Sequence, residues 1–184
     1  MIPILSLWLP ILLSAVAVYI VSSVIHMALP YHRSDYNALP NEDTVLDALR
    51  SAGTGNYVAP HCATSAAMKE PAYQAKITRG PIVTLYVKAG GGFNMPGTLA
   101  RWFLYTLFVS FLAAYLCSRT LEVGASYLTV FRVAGFAVFA AVGGAQPIHS
   151  IWYGQKWSTA FKGLLDSLVY GMVAGGVFGW LWPR

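Results

Sequence analysis

Four stretches of this chain are long and apolar enough to cross a lipid bilayer as helices, and nothing else in the sequence limits the fold as much. The hydrocarbon core of a bilayer is about 30 Å thick, which takes roughly 20 residues at the helical rise. The stretches are residues 4–27, 99–118, 127–145 and 159–182, and the first contains no Lys, Arg, Asp or Glu. Inside lipid each backbone amide must be satisfied within its own segment, so each stretch is expected to be helical. Pro10 falls in the first turns of its helix, where a missing N–H costs least. Gln146-Pro147 is expected to stop the third helix and Pro183 the fourth. The first stretch has no basic residue before it and no small-residue cleavage pattern after it, which marks an anchor rather than a cleaved leader.

Composition agrees. Charged residues make up 10% of the chain against about 25% in soluble domains, and 57% of residues are hydrophobic. Aromatic side chains, 14% of the chain, suit a protein with two membrane interfaces. Trp180 and Trp182 fall at one interface, Trp152 and Trp157 at the other. The formal charge of +5 comes from scattered Lys and Arg with no basic run, so nucleic acid is not an expected partner. Cys62 and Cys117 stand far apart without CxxC spacing, which argues against a disulfide framework or a zinc site.

Residues 28–98 form a polar insertion between the first two spans. Asn41 is expected to cap a helix over residues 42–51, with Glu42 and Asp43 in its first turn and Gly53 after its end. Residues 56–59 and 82–87 have strand character, the second rich in β-branched and aromatic side chains. A second helix is expected over residues 65–78, interrupted by Pro71, and Gly90-Gly91-Gly92 breaks the chain before the second span. The expected fold is therefore an all-α membrane protein: a four-transmembrane-helix bundle, a single membrane domain over 1–184, carrying a small α+β cytoplasmic insertion over 28–98. Four spans place both termini on one side. The insertion side carries Arg33, Lys88, Arg101, Lys156 and Lys162 near helix ends, and the terminal side carries Arg119, Arg132 and Arg184. That bias makes the insertion cytoplasmic and the termini periplasmic in a bacterial inner membrane.

Several strings carry a resemblance. They are Ser23-Val24-Ile25-His26-Met27, Leu29-Pro30-Tyr31-His32-Arg33-Ser34-Asp35-Tyr36, Leu39-Pro40, Ser150-Ile151-Trp152-Tyr153 and the closing Phe178-Gly179-Trp180-Leu181-Trp182-Pro183-Arg184. Over nearly its whole length the chain resembles a family of small bacterial four-helix integral membrane proteins. The resemblance implies the fold. It carries no activity, cofactor or catalytic residue to transfer.

The fourth span holds a small-residue stripe, Gly163, Ser167, Gly171, Gly175 and Gly179, at a spacing of four. Such a stripe lets two helix backbones approach closely, either within the chain or against another subunit. Weaker small-residue faces occur at Ser110, Ala114 and Ser118, and at Gly135 and Gly143. Asp166 is the one acidic residue well inside a span, and a charge at that depth normally faces protein or water. Its expected partners are Lys162, one turn away, Arg101 at similar depth, and Tyr170 as a hydrogen-bond donor. A structural carboxylate is the first expectation and a proton or cation relay the second. His26 and His149 end the first and third spans on the same side, so His26, Arg101, His149, Asp166 and Tyr170 form an expected polar cluster. Two histidines and a carboxylate can bind iron, but no fixed spacing such as HExxH supports it. No metal site and no cofactor are assigned.

The juxtamembrane residues Tyr31, His32, Arg33 and Asp35 are expected to anchor the interface, or to clamp a lipid headgroup or quinone ring, or to hold the polar insertion. They do not form a nucleophile–base set. The glycine clusters lack GxxxxGK[ST] and GxGxxG, so they are turns. Arg132 is expected to snorkel outward or pair with Glu122.

The leading functional expectation is non-catalytic: an accessory or assembly subunit packing within a larger respiratory or photosynthetic complex, with the bilayer and other membrane subunits as partners. The alternatives are a small oligomeric proton- or ion-linked transporter or channel centred on Asp166, and a membrane enzyme acting on lipid or quinone.

Overall fold

The computed structural model describes residues 2–92 and 94–184. In chain order the elements are α1 (Trp8–Ser23), α2 (Glu42–Leu49), β1 (Gly55–Ala59), α3 (Pro71–Arg79), β2 (Val83–Val87), α4 (Met95–Thr120), α5 (Tyr127–Gly143), α6 (Gln146–Tyr153) and α7 (Trp157–Trp180). The chain is mostly helical. Four helical stretches are long and apolar enough to cross a membrane: Ile4–Ala28, Met95–Thr120, Tyr127–Tyr153 and Trp157–Trp180. Two compact units divide the chain, one of residues up to Asp35 with those from Asn94 onward, the other of residues 36–93.

In the helical unit, local chemistry sets the helix ends. Asn94 Oδ1 accepts the Gly97 N–H at 2.9 Å and Pro96 occupies the first turn, so α4 begins four residues before the expected start. Ser126 Oγ caps α5 by accepting the Thr129 N–H. The third span differs most from expectation. A break does fall directly before Gln146-Pro147, but the span resumes after it. The helix α5 ends at Gly143, and α6 restarts at Gln146 with Pro147 in its first turn, where the lacking N–H is not needed. Gly154, at φ 72°, ends α6 in the left-handed conformation that glycine favours. The last helix closes at Trp180, two residues short of expectation.

The α5–α7 contact is the closest in the unit. A Cβ on Gly171 would lie 2.6 Å from the Gly135 carbonyl oxygen, and one on Gly175 would lie 2.6 Å from that of Phe131. Gly163 faces the Gln146 side chain, Ser167 faces Gly143, and Gly179 faces the Tyr127 ring. The whole stripe is thus covered by α5 and α6 of the same chain. Small residues are what this approach needs, because neighbouring helices in lipid gain mainly from close packing. Between α1 and α4, the Trp102 indole N–H donates to Ser22 Oγ at 2.7 Å and the Thr106 hydroxyl lies 3.4 Å from the Ala15 carbonyl. Ser14, Ser110 and Ser118 are buried, as are Val18, Val109 and Ala113. Glu122 does not pair with Arg132; its carbonyl accepts the Trp182 indole N–H at 3.0 Å. Leu104, Phe108, Phe136 and Phe161 point outward, an apolar exterior that suits lipid.

The second unit centres on an antiparallel pair. Gly55 sits opposite Val87, Tyr57 opposite Leu85 and Ala59 opposite Val83. Asn41 does not cap α2 through its side chain. It adopts the left-handed conformation at φ 54°, and its carbonyl accepts the Val45 N–H instead. The expected helix over 42–51 finishes as a 3-10 turn, Arg50–Ala52. Pro71 starts α3 rather than interrupting a longer helix: Glu70 is extended, as the residue before a proline prefers, and only a 3-10 turn, Ala67–Lys69, precedes it. Among the described residues of this unit none is fully buried.

Candidate functional site

The site begins where α1 loses its regular winding. Val24–Ala28 form a π turn, closed by the Leu29 N–H on the Val24 carbonyl at 3.3 Å, and it carries His26. Single π turns of this kind recur at functional positions. Leu29 is extended, and Pro30–Asp35 then wind as a 3-10 helix. A period of three eclipses residues i and i+3, so His32 and Asp35 share one edge and Tyr31 and Ser34 another. Across from this segment, α7 presents Lys162, Asp166 and Tyr170, spaced by four along one face.

Asp166 is the hub. The Tyr31 hydroxyl donates to Asp166 Oδ1, and His32 Nε2 lies 2.9 Å from Oδ2. His26 Nε2 lies 3.8 Å from the same oxygen, and the Tyr170 hydroxyl lies 3.4 Å from that nitrogen. His32 continues the chain of contacts through Nδ1, which lies 2.7 Å from Asp35 Oδ2. Lys162 Nζ donates to Asp35 Oδ1 at 2.7 Å, to Ser34 Oγ at 2.8 Å and to the Tyr31 carbonyl at 2.5 Å. The rings of His26 and His32 stack with centroids 4.3 Å apart, and Tyr31 packs on His32 at 4.2 Å. The side chains of Asp35 and Asp166 are each 6% exposed, while that of His26 is 50% exposed. The centre is therefore sealed on the Asp35 side and open at His26. Burial alone would raise the Asp35 carboxyl, but hydrogen bonds from Lys162 and His32, with their charges, outweigh it and hold the group below the usual carboxylate range.

The residues read from the sequence sort into three groups. His26, Asp166 and Tyr170 come together. Tyr31, His32 and Asp35, read as an interfacial anchor, join them as the other half of the same centre. Arg101 and His149 stay out: among the described residues neither has a hydrogen bond or ion pair to Asp166. Arg101 is exposed on α4. The break at Gly144–Ala145 sets His149 in the separate helix α6, where its ring packs beside Tyr153 at 5.7 Å between centroids. Arg33 is exposed, off the His32–Asp35 edge. Lys162 was expected to neutralise Asp166 and instead pairs with Asp35, because the 3-10 segment brings that carboxylate against the ammonium. One ligand atom from each of His26, His32 and Asp166 lies within 4.8 Å of the other two. His32 and Asp166 were not linked from the sequence, and the available signal is weak. Lys162 and Asp166 sit one turn apart, and the Tyr31–Asp35 string supplies donors and an acceptor in a matching order, but nothing in the spacing orients that string toward α7.

No family model, curated protein or solved structure matches the chain.

Proposed function

We propose that this chain is a multi-pass protein of a bacterial inner membrane, a four-helix bundle with a cytoplasmic α+β insertion and periplasmic termini, that acts on the headgroup of a lipid or quinone at the Asp166 centre. One observation carries the reading: a carboxylate inside an apolar span is met by two imidazoles and a phenol rather than by Lys or Arg, and one of those imidazoles is half-exposed. A carboxylate kept only for packing is most simply paired with a cation, and Lys162 is adjacent on the same helix. That lysine is committed to Asp35, which leaves Asp166 in a set of groups suited to binding and proton transfer. The open edge at His26 gives an amphiphile access from the membrane face. The accessory-subunit reading drew its interface from the glycine stripe, and that stripe is occupied within the chain.

The test is mass spectrometry of lipids and quinones that stay bound when the protein is extracted directly into polymer nanodiscs. One class enriched over the bulk membrane in wild type, and returned to bulk proportion in Tyr31→Phe and His32→Ala, supports the reading. Bulk proportions in every sample overturn it. A single larger complex recovered in fixed ratio would restore the accessory-subunit reading.

A further inference from the structure

We propose that His26, His32 and Asp166 bind a divalent first-row transition-metal ion at this centre. The inference rests on reading the centre as the working site of the protein. Three ligand atoms come from three different elements: the π turn ending α1, the 3-10 segment and α7. Metal–ligand bonds of about 2.0–2.2 Å place neighbouring ligand atoms roughly 3.0–3.5 Å apart in octahedral or tetrahedral geometry. The observed separations from Asp166 Oδ2, 2.9 Å to His32 Nε2 and 3.8 Å to His26 Nε2, bracket that range. The His26 and His32 rings stack at 30°, so seating an ion requires the half-exposed His26 ring to turn until its Nε2 converges with the other two ligand atoms.

The surroundings are those of a ligand set rather than of a chance cluster. His32 offers Nε2 inward while Nδ1 is held at 2.7 Å by the buried Asp35 carboxylate, the carboxylate–histidine support that fixes a ligating imidazole. Tyr31 occupies Asp166 Oδ1, which leaves Oδ2 as the ligating oxygen. In the ligating forms, with the imidazoles neutral and the carboxylates ionised, two negative charges face one positive charge on Lys162, so the centre is net negative. Lys162 is held away from the ligand atoms by Asp35, Ser34 and the Tyr31 carbonyl. Two histidines and one carboxylate fill one side of a coordination sphere and leave the other positions open. His26 is the exposed edge of the set, so water or a headgroup oxygen can reach the ion from that side, while the buried Tyr170 hydroxyl, 3.4 Å from His26 Nε2, backs it from within. Nitrogen and carboxylate donors without thiolate favour iron, zinc, cobalt or manganese over copper(I).

The experiment uses the full-length protein, purified in mild detergent with a histidine-free tag and no chelator. Its metal content is measured, the ion is stripped, and the apoprotein is titrated with Co(II), Zn(II) and Fe(II). Near-stoichiometric metal and a Co(II) visible spectrum that saturates at one ion per chain are expected. His26→Ala should abolish that spectrum, and because His26 is half-exposed at a helix end, the variant keeps the fold. Asp35→Asn should weaken binding by about 10–100-fold through its support of His32. Folding of each variant is checked by circular dichroism and gel filtration. No binding by folded wild type, or unchanged binding in His26→Ala, overturns the proposal. The two readings fail separately: bound lipid or quinone without metal leaves the headgroup reading standing, and metal without an enriched amphiphile leaves the metal site standing.

Discussion

At the scale of single residues, the Asp166 centre is organised by where one ammonium goes. Lys162 is 20% exposed and Asp35 6% exposed, so removing either strands a mostly desolvated charge. Lys162→Met is expected to destabilise the helical unit by about 2–3 kcal/mol, between an exposed pair and a fully buried one. Thermal or denaturant unfolding in detergent measures it, and Lys162→Met with Asp35→Asn should recover much of the loss. The pH dependence has a definite sign. The Asp35 carboxyl is held below the usual range in the fold, so its contribution is fully present above the unfolded value of about 3.9 and is lost as pH falls through the lower folded value. Unfolding curves in that acid range should show the loss in wild type and a shallower one in Asp35→Asn. Equal slopes would remove Asp35 from the account.

At the scale of elements, the decisive contact is α7 on α5. Gly171 and Gly175 meet backbone carbonyls of α5, which cannot move aside as a flexible side chain can. Gly171→Ala is therefore expected to cost about 1–3 kcal/mol by overpacking. Gly176 lies on the same helix, but a Cβ there would meet only the Tyr127 hydroxyl at 3.6 Å, an ordinary contact. Gly176→Ala should be near neutral, and comparing the two variants in one unfolding assay separates backbone approach from a general intolerance of alanine. The four spans themselves were legible because length and apolarity are local properties. The restart of a helix at Gln146 was not. A Gln-Pro pair reads as a stop, yet Pro147 is equally at home in the first turn of a new helix. Pro71 poses the same ambiguity, since a proline that interrupts and one that initiates look alike until the preceding residue's conformation is known.

At the scale of the whole molecule, the apolar helices suggest a multi-pass membrane protein, and the proposed orientation rests on the distribution of Lys and Arg. Cys62 reports on it: it lies in the second unit and is partly accessible, whereas Cys117 is buried. A membrane-impermeant maleimide applied to intact cells should leave the protein unlabelled, and permeabilised cells should label it at Cys62. Labelling in intact cells would reverse the orientation and put the Asp166 centre at the opposite membrane face. A Cys62→Ser control shows whether any signal belongs to that residue.

Several features were decided by the sequence alone. Four segments without enough polar side chains to face water have to find an apolar surrounding, and the small residues at a spacing of four along the last of them allow another helix to approach closely. Asp166 was marked by its isolation in such a segment. The tertiary structure decided which backbone the glycines meet and which groups Asp166 meets. The stripe is covered by α5 and α6, a choice that depends on helix order and crossing, which periodicity does not encode. His32 rather than His149 reaches the carboxylate because a π turn and a 3-10 segment redirect the chain after α1, and because α6 swings His149 to another neighbour. Hydrophobicity is a property each segment carries by itself. The convergence of Tyr31, His32, Asp35, Lys162 and Asp166 is a property of how distant segments are placed, and only the folded chain sets it.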